Sequence, residues 1–483
     1  MRRYFFLKIL FAFALLSSTT VHLYGQAKNQ LLQDKIGQWK NSPALSNAGI
    51  SLAVTDGSTQ QLIVGSDPQI SLTPASIMKV VTTATALEML GPDYRFKTQL
   101  SYSGKIQNDT LFGNLQIIGG GDPTLGSMYF PEAKNFQDIW LKALQQNNIR
   151  VITGKLIVDA TIYEPQMIPG SWVWEDLGNY YGAGASGLTV YDNMYEIHLQ
   201  SPEIADRPTQ FLKTVPEIPG LELKNEVLSS DTNSDQAYVF GSPDDSRRTI
   251  RGTIPKGKPD FVIKASMPNP PALLANGFRQ ILESSGIQFS GETAFEKAAT
   301  GGILLTETLS PPLSEIIRET NFESINLFAE HLLKHLAWLK TGLGATREGC
   351  KQVVQFWKEK GMDTNGFFMY DGSGLSRFNA FTARHLVFIL NYMKYQSPYA
   401  TDFYQSLPSA GKGTLTAFST EQFPGETVKA KSGSMTRVRC YAGYMKTTSG
   451  RELTFTVMLN NFSCSQSEAV RKIQELLSLL RSL

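Results

Sequence analysis

The sequence predicts a multidomain α/β protein, an antiparallel sheet flanked by helices and interrupted by a large, mostly-β insert. Three observations lead there. Both ends of the chain alternate strand and helix. The stretch between them, about 98–302, turns to short strands separated by Gly, Asn and Asp turns. And 483 residues, 42% of them hydrophobic, are enough chain for two or more cores.

Residues 1–25 read as an export signal. Arg2, Arg3 and Lys8 precede the apolar run ILFAFALL, and small residues lead to an exit near Gly25. The run is shorter than the ~20 residues of a spanning helix. No cysteine at its exit offers a lipid anchor. Residues 26–97 open the sheet domain. A helix is expected over 30–41, then a hairpin, because AGISLAVTDGSTQQLIVGSDP alternates around Asp56-Gly57. The next helix carries Ser76 on its opening turns and runs to Leu90, where Gly91-Pro92 stops it.

The insert, 98–302, reads as strands and turns through FKTQLSYSGKIQNDTLFGNLQIIGGGDPTL, GKLIVDATIY and AYVFGSPDD, with one helix at PPALLANGFRQILESSGI. Residues 303–483 return to the sheet domain. SPPLSEIIRETNFESINLFAEHLLKHLAWL is helical, and further helices are expected over 346–360 and 381–396. Then come the strands ETVKAKSGSM, RVRCYAGYMKTT and LTFTVMLNNF, with a hairpin at Ser449-Gly450. A last helix opens at about Ser465 with a Ser465/Glu468 capping box and ends near Leu480. Its apolar face suits a cover for the sheet, with peripheral membrane contact as the alternative. The two outer parts together make about 250 residues, the size of one domain.

Charge excludes some functions. Without the three basic residues of the leader, the formal charge falls from +2 to −1. A nearly neutral chain has no electrostatic footprint for nucleic acid. Cys350, Cys440 and Cys464 are too few for a disulfide scaffold and read as buried thiols, although one bridge is open to them. His331 and His335 stand four apart, but no Glu follows His331, so HExxH is absent and a helix-surface or core pair is the reading. No metal or cofactor is expected.

The chemistry is in three short stretches. Ser76 and Lys79 lie three apart on one helix face. A serine hydroxyl needs a base to take its proton, and a lysine amine can be that base once burial or a nearby cation keeps it neutral. The Ser76 N–H, at a helix start, can help hold an oxyanion. Ser324-Ile325-Asn326 falls in a helical region and Lys431-Ser432-Gly433 on a strand. S-x-x-K, S-D-N and K-T-G recur in this order in penicillin-binding proteins and class A β-lactamases; here Ile325 replaces the Asp of the second motif and Ser432 the Thr of the third. The residue types suit distinct roles. Ser324 can pass a proton to a leaving amine, and Asn326 can hold a substrate amide. Lys431 can lower the pKa of Lys79 and attract a carboxylate. Ser432 keeps the hydroxyl of the third motif. Gly433 lets a substrate backbone lie along the strand, and Ser434 offers an N–H to the oxyanion and a hydroxyl to a carboxylate.

With GGGDPTL (119–125), WVWEDLGNYYGAGASGL (172–188), YDGSGLSR (370–377), LPSAGKGTL (407–415), TRVRCYAGY (436–444) and the long insert between the first two motifs, the chain resembles the class C low-molecular-mass penicillin-binding proteins, the D-alanyl-D-alanine carboxypeptidase/endopeptidase family (peptidase family S13). The resemblance implies the penicillin-binding-protein/β-lactamase-like fold, an acyl-enzyme on Ser76, peptidoglycan stem peptides as substrates, β-lactams as covalent inhibitors and a periplasmic location. It also implies that Asp176 meets the amine, and Arg377 the carboxylate, of the diamino acid at the stem's third position, with Tyr181 and Met435 lining that pocket. Asp371, Gly372 and Gly374 are expected to form a structural turn. A serine β-lactamase and a catalytically silent peptidoglycan-binding homologue are the rival readings.

Overall fold

The computed structural model describes residues 30–483 except Asp244; the expected export signal lies outside them. A five-stranded antiparallel sheet has the order Val428–Met435, Val438–Lys446, Glu452–Asn460, Gly49–Asp56, Leu62–Ser66. The chain's first strands therefore pair with its last.

Both faces of this sheet are covered, and the side-chain alternation says with what. Along Glu452–Asn460, Leu453, Phe455, Val457 and Leu459 face one layer, and Met458 the other. The first layer is the helix over residues 30–40, through Leu32, Ile36 and Trp39, and the terminal helix Gln466–Arg481, through Ile473, Leu476, Leu477 and Leu480. Each such side chain, fully buried, contributes roughly 1.5–3 kcal/mol. The apolar face of the terminal helix is spent on the sheet, so it is not available to a membrane. Among the described residues no helix is long and apolar enough to cross one. The second layer is the helices Met78–Leu90, Leu313–Phe322, Asn326–Thr341, Thr346–Glu359 and Ala383–Tyr395. The three cysteines are free thiols, Cys350 and Cys440 buried and Cys464 partly so.

The insert has two parts. A seven-stranded mixed sheet packs beneath the helices Phe136–Gln146 and Pro270–Ser284, where Trp140 meets Phe278 edge-on at 5.4 Å. Two three-stranded sheets close over a second core that includes Tyr195, Ile197, Val239 and Ile250. The structure adds two features to the sequence reading. Phe136–Gln146 is a helix, its Phe136, Trp140, Ala143 and Leu144 forming a buried stripe. And Ile303–Leu309 pairs antiparallel with Lys97–Gln107, so the insert's sheet extends past the expected boundary at 302 to Leu309.

Insert and body meet along Asn326–Thr341. Thr189 and the His331 Nε2 are 2.8 Å apart, and the His331 Nδ1 lies 2.9 Å from the Gly121 carbonyl. The fully buried Lys334 amine donates to the carbonyls of Gln166 (2.6 Å) and Ala185 (3.3 Å). His335 lies 2.7 Å from the Tyr94 hydroxyl. Burial pushes both imidazoles down to about 3, so they are neutral packing groups of the core.

Candidate active site

Ser76 sits in a 3-10 turn, Ala75–Ile77, that runs directly into the helix Met78–Leu90. Ser76 thus stands two residues ahead of the α-helix, and Lys79 occupies its first turn. Ala75 has φ 49° and Ser324 φ 65°. Non-glycine residues in the left-handed region are strained, and both flank the reacting groups. On the other side of the turn runs Val428–Met435. A Cβ on Gly433 would lie 2.6 Å from the Pro74 carbonyl and 3.0 Å from the amides of Ser76 and Ile77. Only glycine lets this strand pass so close to Ser76.

Lys79 is fully buried. Its Nζ donates to Asn326 Oδ1 at 2.6 Å and to the Ser373 carbonyl at 2.7 Å, and lies 3.1 Å from Ser76 Oγ. A neutral amine has two N–H bonds and one lone pair. With both N–H groups taken by oxygens that can only accept, the lone pair faces the Ser76 hydroxyl. Burial lowers the amine's pKa to about 7, against the opposing charges of Asp371 and Glu330.

Asn326 opens its helix and turns its Nδ2 to the Tyr181 carbonyl of the insert, 2.8 Å away. Lys431 Nζ donates to Ser324 Oγ at 2.9 Å and to the Ser432 carbonyl at 2.8 Å. The pKa of Lys431 is itself well below the ordinary lysine value, through burial first and then the nearness of Lys79 and Arg439. Of the two causes the sequence offers for a lowered Lys79, burial is the leading one.

The two chains of contact, Ser76–Lys79–Asn326 and Lys431–Ser324, open into a cleft of about 430 Å³. Ser434, Met435, Asp176, Tyr181 and Arg377 all line it. The insert does fold back over the site: Asp176 and Tyr181 come from a one-turn helix and the turn that follows it. Burial raises the Asp176 pKa, and a hydrogen bond with Tyr181 and the charge of Arg377 pull it back. Arg377 itself is exposed at the rim. All the expected site residues therefore gather around one cleft or its wall.

Asp371 does hold a turn. Its carboxylate accepts from the amides of Gly374 (2.8 Å) and Ser376 (2.5 Å), from Asn379 Nδ2 (2.7 Å) and from Trp172 Nε1 (2.8 Å). Two features of this turn are absent from the sequence reading: it supplies the Ser373 carbonyl to Lys79, and Glu330 backs it. Glu330 stands four residues after Asn326, on the same helix face, and that spacing is the one signal of it in the sequence.

A sheet between two helical layers, with a serine and a buried lysine at the start of a central helix, is the penicillin-binding-protein and β-lactamase-like fold. The chain belongs to the D-Ala-D-Ala carboxypeptidase 3 (S13) family, whose model matches residues 32–482. It is 28% identical over 452 residues to a D-alanyl-D-alanine carboxypeptidase of Actinomadura sp. (strain R39), covering 89% of this chain and 81% of that one. The crystal structure of penicillin binding protein 4 (dacB) from Haemophilus influenzae superposes with a TM-score of 0.80 at 22% identity, over 93% of this chain and 99% of the other. The same Haemophilus protein complexed with a β-lactam gives a TM-score of 0.75 at 22% identity, over 92% and 98% of the two chains.

Proposed function

We infer that this protein is a serine-type D-alanyl-D-alanine carboxypeptidase and endopeptidase acting on peptidoglycan stem peptides and their cross-links. The observation that carries the reading is the buried Lys79 amine, 3.1 Å from the Ser76 hydroxyl with its other neighbours both acceptors. Lys79 takes the Ser76 proton as Oγ attacks the carbonyl carbon of the penultimate D-Ala. The amides of Ser76 and Ser434 hold the resulting oxyanion. As the intermediate collapses, the C–N bond breaks and the leaving amine takes, through Ser324, the proton that Lys79 removed from Ser76, so Lys79 is neutral again. Water then attacks the ester, its proton passes to Lys79, and the acid leaves as Ser76 is restored. A free D-Ala leaves in the carboxypeptidase reaction, and a second stem leaves in the endopeptidase reaction.

Asp176 and Arg377 suit the two ends of a diamino acid, an acid for its ammonium and a guanidinium fork for its carboxylate. Tyr181 and Met435 line the same cleft. β-Lactams present a strained acyl group to the same hydroxyl and are bound covalently. The basic, then apolar, leader supports a periplasmic location.

Purified protein treated with penicillin carries a penicilloyl adduct on the peptide containing Ser76, read by mass spectrometry. With cross-linked muropeptides it yields monomers and stems one D-Ala lighter. Absence of any adduct on Ser76 overturns this reading. Rapid turnover of penicillin without a stable adduct replaces it with a β-lactamase.

A further inference from the structure

Glu330 is fully buried, one helical turn beyond Asn326, and the reaction just described leaves it unused. Its Oε1 accepts from the amides of Gly372 (3.0 Å) and Ser373 (2.8 Å), and its Oε2 lies 3.2 Å from the Gly372 amide. These are the two residues whose carbonyls turn the other way. Gly372 O accepts from Thr82 Oγ1 at 2.7 Å, and Ser373 O accepts from Lys79 Nζ at 2.7 Å. The peptide units between Glu330 and the nucleophile helix are thus clamped on both sides. A Cβ on Gly372 would stand 2.7 Å from the Ala329 carbonyl, so the segment lies hard against the helix that carries Glu330.

We propose that Glu330 is a positioning residue for acyl transfer: its carboxylate anchors the Gly372–Ser373 backbone, whose carbonyl fixes the Lys79 amine against Ser76. The inference rests on the acyl-transfer reading above. Lys79 needs two acceptors to aim its lone pair, and Asn326 is one. The other is a main-chain carbonyl in a tight turn, with no side-chain rotamer to hold it in place. Glu330 supplies that rigidity from behind, while Asp371 shapes the rest of the turn.

Glu330 also faces the amine with charge. Burial raises its carboxyl pKa to about 7, Asp371 adds to that, and the bonds from Ser373 and Gly372 oppose it. Asp371 comes from the turn, Lys79 from the nucleophile helix, Lys431 from the strand and Cys350 from the neighbouring helix; Lys334 and His331 share Glu330's own helix. Of these, Asp371 and Glu330 hold the proton on Lys79. Removing the Glu330 charge makes the amine easier to deprotonate, so the acid limb of acylation moves to lower pH.

The test is stopped-flow acylation of the full chain by a chromogenic cephalosporin, between pH 5 and 9, in wild type, Glu330→Gln, Glu330→Asp and Glu330→Ala. Gln keeps an acceptor in place without charge; Asp keeps the charge but withdraws it by a methylene. Limiting acylation falls about 10²-fold in Glu330→Ala, and about 10-fold in Glu330→Asp, with the preceding binding constant changed less than about 3-fold. Glu330→Gln retains most of the rate and shifts the acid limb down by about one pH unit. Folding is followed by thermal melts. If Glu330→Ala does not fold, the Gln and Asp variants decide. A folded variant set with wild-type rates and an unmoved acid limb overturns the proposal. Wild-type protein that takes no adduct on Ser76 instead overturns the acyl-transfer reading, and this inference with it.

Discussion

The body and the insert put their buried ionisable groups to different uses. In the body, Lys79, Lys431, Glu330 and Asp371 have no exposed surface at all. In the insert the ion pairs Lys155–Glu292, Lys256–Asp231 and Arg247–Asp245 stand largely in solvent, and the buried Asp122, Asp192 and Arg248 find their hydrogen-bond partners in the insert's own turns. Exposed pairs of that kind are worth little. Buried charges are expensive unless neutralised or hydrogen-bonded, and in return they sit in fixed positions. The two regions thus divide the labour. The body gives up stability to aim a hydroxyl, an amine and two oxygens at one another. The insert contributes the wall of the cleft: Asp176, Tyr181 and the Tyr181 carbonyl that orients Asn326.

The body is where a single change does most damage. Lys79→Gln removes the base and keeps a group of similar reach; acylation by penicillin falls about 10³-fold, measured as adduct formation on Ser76 over time. Next comes Gly433→Ala. The added methyl has nowhere to go between the Pro74 carbonyl and the Ser76 amide, so the strand moves off the nucleophile turn. Limiting acylation falls about 10²-fold while the melting temperature drops only modestly, because the contact is local.

The insert's share is smaller and selective. Asp176→Asn lowers kcat/KM about 10-fold on stem peptides with a free side-chain ammonium at the third residue. Penicillin acylation of the same variant stays within about 2-fold of wild type, since a lactam carries no such ammonium. A loss on both substrates would assign Asp176 to the site's structure and not to recognition.

The smallest effects concern pH. With the Lys79 pKa lowered to about 7, wild-type acylation climbs with pH through 7 and levels off above it, as the amine becomes free to accept a proton. The seam between insert and body responds in the acid range. His331 and His335 are held neutral down to about 3, whereas the unfolded chain protonates them near 6.5. The unfolded state therefore binds more protons between these values. Stability declines as pH falls from about 6.5 toward 3, seen as a melting temperature lower by several degrees at pH 4.5 than at pH 7.

Much of the fold and site is legible in the sequence, for physical reasons that differ by element. The sheet domain announces itself through period-two strands and glycine-marked hairpins, as at Asp56-Gly57 and Ser449-Gly450. The three motifs are legible because their chemistry constrains residue type at close spacing. Glu330 is not, since a glutamate inside AEHLLKHL looks like any helical surface residue until the turn at Gly372 packs over it. Which of burial and a nearby cation dominates at Lys79 is hidden because burial is a property of packing, which spacing does not report. The helix Phe136–Gln146 is obscured because its apolar stripe is short and lies among strands. Ile303–Leu309 reads as part of the body because its partner, Lys97–Gln107, is about two hundred residues away along the chain.

The helix Asn326–Thr341 serves both regions at once. Asn326 and Glu330 attend the cleft, while His331 and Lys334, a turn or less further on, find their partners in the insert at Thr189, Gly121, Gln166 and Ala185. Excising the insert would remove these partners of the amine and imidazole and open to water the rod that carries Asn326 and Glu330. The insert is thus no detachable appendage, and a minimal enzyme trimmed to the sheet domain would need that rod redesigned before it could work.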